Sequence, residues 1–360
     1  MVLSTAGAAA GGSGRRGRFV DARDARLAEV AIRAVVAAVD LTPKPNLTDT
    51  RDPDPGARGF DVRDLGSRAV DSRAARPRAA SARIPAARAP ASAARHATPD
   101  PGALRWAAGA LAPGLTAMAA AARRTGEPSP ELRAELGAIG RSTEWTVRRA
   151  ACGTRVHRGA VWVLGLLVAA SALEPGAAPG ELGAVVKRLA VHRDRGAPLR
   201  PSRGSAVSVR YGAAGARGEA RAGLPHVRRA LDALRTTRNA GADETSARLD
   251  ALLTVMSTLQ DTTVLYEAGP HGLRRVQSGA RAVLDAGGAA AEAGRAALAA
   301  FDVDLREQAL SPAGSVPLLA GALYAEQAVR TAASAPAGPV SGPAAGVRAR
   351  PRGAGLRAHP

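Results

Sequence analysis

Five short segments gather polar residues and glycine between apolar stretches: LTPKPNLTD (41–49), CGTRVHRGAVW (152–162), YGAAGARGEARAGLPHV (211–227), LQDTTVLYEAGPHGL (259–273) and LSPAGSVPLL (310–319). Their side chains suit two chemistries, anion binding and proton transfer. Lys44 lies in a loop between Pro43 and Pro45, which fixes its direction, so it suits a phosphate contact or a plain surface position. The stretch from Gly153 to Gly159 leads into an apolar helix, where free backbone N–H groups face an anion well. His157 at that start suits acid–base work or a capping role, and Arg158 suits a phosphate or an ion pair with Glu144. Arg217 and Glu219 flank Gly218, with Gly215 just before them. Charged residues between glycines rarely serve core packing, and the backbone there allows close approach to a ligand. Asp261 suits a helix cap or a Mg²⁺ ligand, and Asp49 carries the same two readings. Ser311 before Pro312 suits a phosphate contact or a turn. His271 after Pro270 reads as structural at a helix start, and Cys152 as packing.

The elements that must position these groups are helices. Apolar residues make up 46% of the 360, yet Phe, Trp and Tyr number three each. The apolar fraction is therefore mostly Ala, Val and Leu, which favours helix over strand and argues against a β-sandwich and against an aromatic platform for single-stranded nucleic acid. Helical spacing predicts helices over 25–40, 104–124, 129–150, 157–173, 180–192, 225–237, 244–259, 271–286, 289–301 and 315–334, with no convincing strand. Residues 194–214, with Pro198 and Pro201, read as a long loop. The expectation is one all-α domain formed by residues 23–61 and 103–334. Residues 1–22, 62–102 and 335–360, rich in Arg, Ala, Gly and Pro, are read as disordered, with 62–102 either an insertion or a translated frame disruption.

Charge narrows the partners. The net charge is +19, but residues 1–20, 66–102 and 335–360 carry +3, +5 and +4 of it, so basicity collects in the low-complexity stretches and argues against a nucleic-acid partner. The longest apolar run, Ala160 to Leu173, falls short of the ~18 residues of a membrane span and reads as a buried helix. A single cysteine excludes an internal disulfide framework and a multi-cysteine zinc site. With no secretory signal in evidence, the expected location is cytoplasmic.

In order and spacing the five segments resemble the triphosphoribosyl-dephospho-coenzyme A synthase family, which makes the prosthetic-group precursor for citrate lyase and malonate decarboxylase. The resemblance covers about residues 25–60 and 103–330. Thr42, Pro43, Lys44, Pro45, Leu47 and Asp49 match L-T-P-K-P-G-L-V-D, with Asn46 in place of Gly. Gly153, His157, Arg158, Gly159 and Ala160 match G-V-N-T-H-K/R-G-A, with Arg155 in place of Asn. The most specific segment is Y-G-x-x-G-A-R-G-E-A-x-x-G-F-P. There Tyr211, Gly212, Gly215, Ala216, Arg217, Gly218, Glu219, Ala220, Gly223 and Pro225 match, with Leu224 for Phe. Asp261 and Thr262 match D-T-N, with Thr263 for Asn. Ser311, Pro312, Gly314 and Ser315 match S-P-G-G-S-A-D-L-L, with Pro317 for Asp. A family G-A-H-x-D-M segment stands here as Gly56-Ala57-Arg58-Gly59-Phe60-Asp61, without its His.

The resemblance implies that the 2′-hydroxyl of 3′-dephospho-coenzyme A attacks C1 of the ATP ribose and that adenine leaves, the triphosphate staying on the transferred sugar. Such a reaction needs cations, N–H groups or Mg²⁺ for about four negative charges. It needs a carboxylate near a developing oxocarbenium ion, a base for the hydroxyl and a proton for adenine. Glu219, His157 and Asp261 become the expected catalytic groups. Lys44, Arg158, Gly159, Arg217, Gly215, Gly218 and Ser311 become the expected phosphate contacts, and Asp49 and Asp261 the Mg²⁺ ligands. A downstream holo-acyl-carrier-protein synthase step would consume the product. Two rival classes remain: a catalytically degenerate homologue that binds nucleotide or a carrier-protein partner, and a basic nucleic-acid binder.

Overall fold

Asp21 starts the first helix, its carboxylate accepting the N–H of Arg23 at 2.8 Å. Helix α1 (Ala22–Asp40) then places Ala28, Val30, Ala31, Ala34, Val35, Ala38 and Val39 on its buried faces. The computed structural model describes residues 21–48, 101–152, 156–198 and 202–333, and among these it contains thirteen α-helices and no strand. Of the stretches expected to be disordered, 1–22, 62–102 and 335–360, residues 1–20, 62–100 and 335–360 lie outside the described residues. At the boundaries, Ala22 belongs to α1, and Pro101 and Gly102 begin α2 (Pro101–Gly109).

The helix predicted over 104–124 is two helices, α2 and α3 (Ala112–Thr125), because Pro113 cannot continue a helix from its preceding turn but suits the first turn of a new one. Helix α4 (Pro130–Ala150) begins as its sequence predicts: Ser129 caps it by accepting the N–H of Leu132 at 3.1 Å, a contact worth ~1 kcal/mol. Helix α5 (Arg158–Leu173) buries eleven of its sixteen residues between α1, α3 and α13 (Val316–Ala333). Its apolarity therefore reflects a central place in the core. No helix among the described residues is long and apolar enough to cross a membrane. Helix α6 (Leu182–Val191) lies beside α5.

The region read as a long loop holds α7 (Arg203–Tyr211), and the Gly-rich turn after it holds α8 (Gly215–Arg221). Ser202 and Ser205 form a reciprocal capping box that satisfies orphan N–H groups at the start of α7. Two glycines in seven residues give α8 poor intrinsic propensity, so tertiary packing on α6 holds it. Helices α9 (Pro225–Asn239) and α10 (Glu244–Met256) form a hairpin. Helix α11 (Thr262–Asp285) starts nine residues before the predicted 271 and kinks at Gly269, where φ is 64° and Pro270 follows. Gly269 is non-helical, with ψ −165°, so Pro270 opens the second piece of α11 and His271 stands, exposed, at the helix start its sequence predicts. Helix α12 (Glu292–Glu307) packs on α11. Cys152 is exposed rather than packed, at φ 49° just after α4.

Candidate active site

The motif segments meet because four helices start in one place. The first turn of α5 abuts the first turn of α13: a Cβ added at Gly159 would lie 2.6 Å from Pro317 Cγ, so only glycine lets the two starts touch. The 311–315 loop ahead of α13 folds onto Asp261, where Gly314 N–H donates to Oδ2 at 2.9 Å. A Cβ at Gly314 would stand 2.8 Å from that same oxygen. Asp261 in turn caps α11, its Oδ1 accepting Thr263 N–H at 2.8 Å and Val264 N–H at 3.5 Å. Gly215, the first residue of α8, lies beside Thr262, and Ala214 N–H donates to Gln260 Oε1 at 3.3 Å. The starts of α5, α8, α11 and α13 therefore share one corner. Each helix start carries N–H groups without intrahelical partners and a positive dipole end. No side chain caps α5 or α8.

Within this corner the expected residues divide. Asp261 is 3% exposed; burial raises its pKa, and the backbone N–H groups of Thr263, Gly314 and Val264 oppose that rise. Both its oxygens are engaged in holding loop to helix. His157 is the left-handed N-cap of α5, and its Nε2–H donates to the Leu104 carbonyl at 2.7 Å. Burial lowers its pKa against that hydrogen bond, so a neutral ring ties α5 to α2. Ser315 is buried and its Oγ donates to Pro312 O at 2.6 Å. Ser311 is half-buried at the start of the same loop. Arg158 is half-exposed and pairs with Glu144 at 3.4 Å, and Glu144 also accepts Trp162 Nε1–H at 2.5 Å.

Lys44 departs from its expected setting. The residue is 2% exposed, and its ammonium donates to the carbonyls of Ala38, at 3.1 Å, and Val39 at the end of α1. A lysine there satisfies orphan carbonyls and complements the negative end of the helix dipole. Asn46 ties the same loop to α12: its N–H donates to Asp302 at 2.7 Å and its side-chain amide to Leu305 and Leu310 carbonyls. A cavity of about 250 Å³ lies on that side, lined by Pro43, Pro45, Asp243, Arg295 and Asp302. Asp49, Gly153, Arg155 and Arg58 lie outside the described residues.

Other groups at this corner lack partners. Arg217 is exposed and makes no hydrogen bond or ion pair among the described residues. Across from it Arg133 and Arg141 of α4 straddle Gly137, against which the Asp194 carboxylate nests. Arg141 binds that carboxylate at 2.6 Å and Arg133 stands 3.9 Å from it, 5.9 Å above the Trp162 ring. Burial lowers the Arg133 pKa; Asp194 opposes this, and the positive charges of Arg141 and Arg217 add to the lowering. Arg133 Nη1 is buried without a hydrogen-bond partner among the described residues. Glu219 turns both oxygens to His226: Oε1 accepts the backbone N–H at 2.9 Å, Oε2 the Nδ1–H at 2.7 Å. Sequence reasoning missed Arg133, Arg141, Asp194 and His226. The one available signal was the i, i+4, i+8 spacing of Arg133, Gly137 and Arg141, which puts two cations on one helix face around a gap.

No group of three or more His, Cys, Asp or Glu among the described residues is placed to hold a metal ion. Both Asp261 oxygens accept backbone N–H groups, and Asp49, the other expected Mg²⁺ ligand, lies outside the described residues.

An all-α domain that collects uncapped helix starts, the exposed Arg217 and the ion-paired Arg133, Arg141 and Arg158 in one corner is suited to a polyanionic ligand. The chain belongs to the ATP:dephospho-CoA triphosphoribosyl transferase family, whose model matches residues 99–334. It is 41% identical over 315 residues to a protein of Stutzerimonas stutzeri described as "Probable 2-(5''-triphosphoribosyl)-3'-dephosphocoenzyme-A synthase", covering 87% of this chain and 94% of that protein. A protein of Azotobacter vinelandii with the same description is 41% identical over 305 residues, covering 84% and 91%. One from Pseudomonas fluorescens is 40% identical over 304 residues, covering 84% and 91%. No solved structure matches.

Proposed function

We infer that the chain transfers the 5-triphosphoribosyl group of ATP to the 2′-hydroxyl of 3′-dephospho-coenzyme A and releases adenine. The convergence of the starts of α5, α8, α11 and α13 beside an unpaired Arg217 carries this reading. The triphosphate lies against Arg217, with Arg158 and the N–H groups of Gly159 and Gly215 turned toward it, and Arg133 behind; the Gly218 N–H, expected as a further contact, is instead taken up by the Ala214 carbonyl at 3.0 Å. Four negative charges are then met by cations and by dipoles fixed before the substrate arrives, which lowers the cost of binding and of the transition state. Ser311 contributes a hydroxyl from the loop that Asp261 holds. The phosphate role expected for Lys44 falls to Arg217, since the lysine closes α1. Mg²⁺ enters only as the companion of the ATP triphosphate.

Asp261 and His157 serve the reaction by building the corner. Glu219 acts through His226. The product is the prosthetic-group precursor for the acyl carrier protein of malonate decarboxylase or citrate lyase, and a holo-acyl-carrier-protein synthase step consumes it. The reaction belongs in the cytoplasm, where an exposed lone cysteine such as Cys152 stays reduced.

Chromatography of adenine released from ATP, with and without dephospho-coenzyme A, and mass detection of the coupled product test the reading. Release that depends on the acceptor is the expected result. A folded chain that binds ATP and releases no adenine would instead be a degenerate homologue.

A further inference from the structure

His226 is the best-oriented imidazole among the described residues, and neither the motif residues nor the family match assigns it a role. Its Nδ1–H donates to Glu219 Oε2 at 2.7 Å while its own backbone N–H donates to Glu219 Oε1 at 2.9 Å, so one carboxylate fixes both the ring and its tautomer. A neutral ring that donates through Nδ1 keeps its lone pair on Nε2. That Nε2 is buried, the side chain being 12% exposed, and has no hydrogen-bond partner among the described residues. Buried acceptors are rarely left without a donor, and one left so at a functional site calls for a ligand donor. The backbone supports this placement: Leu224 adopts a left-handed φ of 57°, which turns the chain sharply from α8 into α9 and brings His226 back onto Glu219. Glu219 lies one turn beyond Gly215 on the same face of α8, the face that meets Thr262 at the gathered helix starts.

We propose that His226 is the general base of the transfer, its Nε2 taking the proton of the attacking acceptor hydroxyl, with Glu219 as its positioning residue. This rests on the functional reading above. As the hydroxyl oxygen bonds to C1 of the ribose, the bond from C1 to the adenine nitrogen breaks with its electron pair. The hydroxyl proton passes to Nε2, and departing adenine gains a proton in turn, so His226 ends the cycle neutral. A carboxylate-held imidazole accepts a proton from a weak oxygen acid better than a carboxylate does near neutral pH, and the paired Glu219 stabilises the imidazolium that forms.

The test is His226→Asn, whose amide can still donate to Glu219 but offers no basic lone pair. The expected result is a fall in kcat for acceptor-dependent adenine release of about 10²–10⁴-fold, with KM for ATP and dephospho-coenzyme A within threefold of wild type. A kcat within threefold of wild type overturns the proposal while leaving the functional reading intact. A wild-type chain that releases no adenine overturns the reading and the proposal together. Should the variant not fold, the wild-type chain decides: in ¹⁵N-histidine spectra the ring held as the Nδ1–H tautomer shifts its Nε2 resonance on saturation with dephospho-coenzyme A, and an unmoved resonance overturns the proposal.

Discussion

The two sides of the corner differ in how their polar groups are satisfied. On the side where α5, α11 and α13 start, the buried polar side chains of the described residues have partners: Asp261 holds Thr263 and Gly314, His157 holds Leu104, and Ser315 holds Pro312. On the side formed by α4, α8 and the start of α9, Arg133 Nη1 and His226 Nε2 are buried without hydrogen-bond partners among the described residues, and Arg217 has neither hydrogen bond nor ion pair there. Satisfied groups stiffen a frame, and unsatisfied ones hold a cost that a ligand can relieve. Motif residues of both kinds sit side by side in the sequence, so membership of a motif does not separate frame from ligand contact. Partnering in the folded chain does.

This contrast predicts opposite phenotypes for substitutions on the two sides. The largest change in rate belongs to the unpaired side: Arg217→Ala should lower kcat/KM for adenine release by about 10²–10³-fold, the typical cost of removing one preorganised donor, with the melting temperature unchanged. A loss of stability comparable to that of a core substitution would erase the distinction. Next comes the frame. Asp261→Ala removes a helix cap and leaves Gly314 N–H without its acceptor, so a loss of roughly 2–3 kcal/mol is expected in thermal or urea unfolding. Its activity should fall only as far as the loop loosens. An Asp261→Ala chain with full stability and no activity would place Asp261 among the ligand-facing groups.

The smallest effect is one of pH. The folded-state pKa of His157 is lowered by burial from 6.5, so protonation favours the unfolded chain. Its stabilising contribution is complete above that unfolded value and is lost as pH falls below it toward the folded pKa. The wild-type melting temperature should therefore drop between pH 7.5 and 5.5. His157→Gln, which keeps a donor for Leu104 but cannot titrate, should show a shallower drop. Equal slopes in the two proteins would assign the acid sensitivity elsewhere.

Much of the frame was legible in the chain because its signals are local. The apolar run from Ala160 marks a buried helix, Pro128-Ser129-Pro130 marks the start of α4, and Asp261 ahead of two threonines marks a cap. The motif segments put Arg217 and Glu219 in a Gly-rich turn, and the fold puts both on the short helix α8. What the sequence hid depends on distance. The Asp194 carboxylate reaches Arg141 across 53 residues, and His226 acquires meaning only when a left-handed Leu224 folds it back onto Glu219. Helices α7 and α8 were obscured by serine and glycine, which read as loop until a capping box or a packing partner is known. Lys44 misled for a related reason: two flanking prolines fix a direction, but only the fold shows that the direction is inward, onto the end of α1.

The most direct test of the central claim is a crystal structure of the chain with a non-transferable ATP analogue and dephospho-coenzyme A. The triphosphate should lie within hydrogen-bond distance of the Arg217 guanidinium at the starts of α5 and α8, with the acceptor hydroxyl on His226 Nε2. A triphosphate seated instead in the cavity beside Pro43, Pro45 and Arg295 would contradict the account.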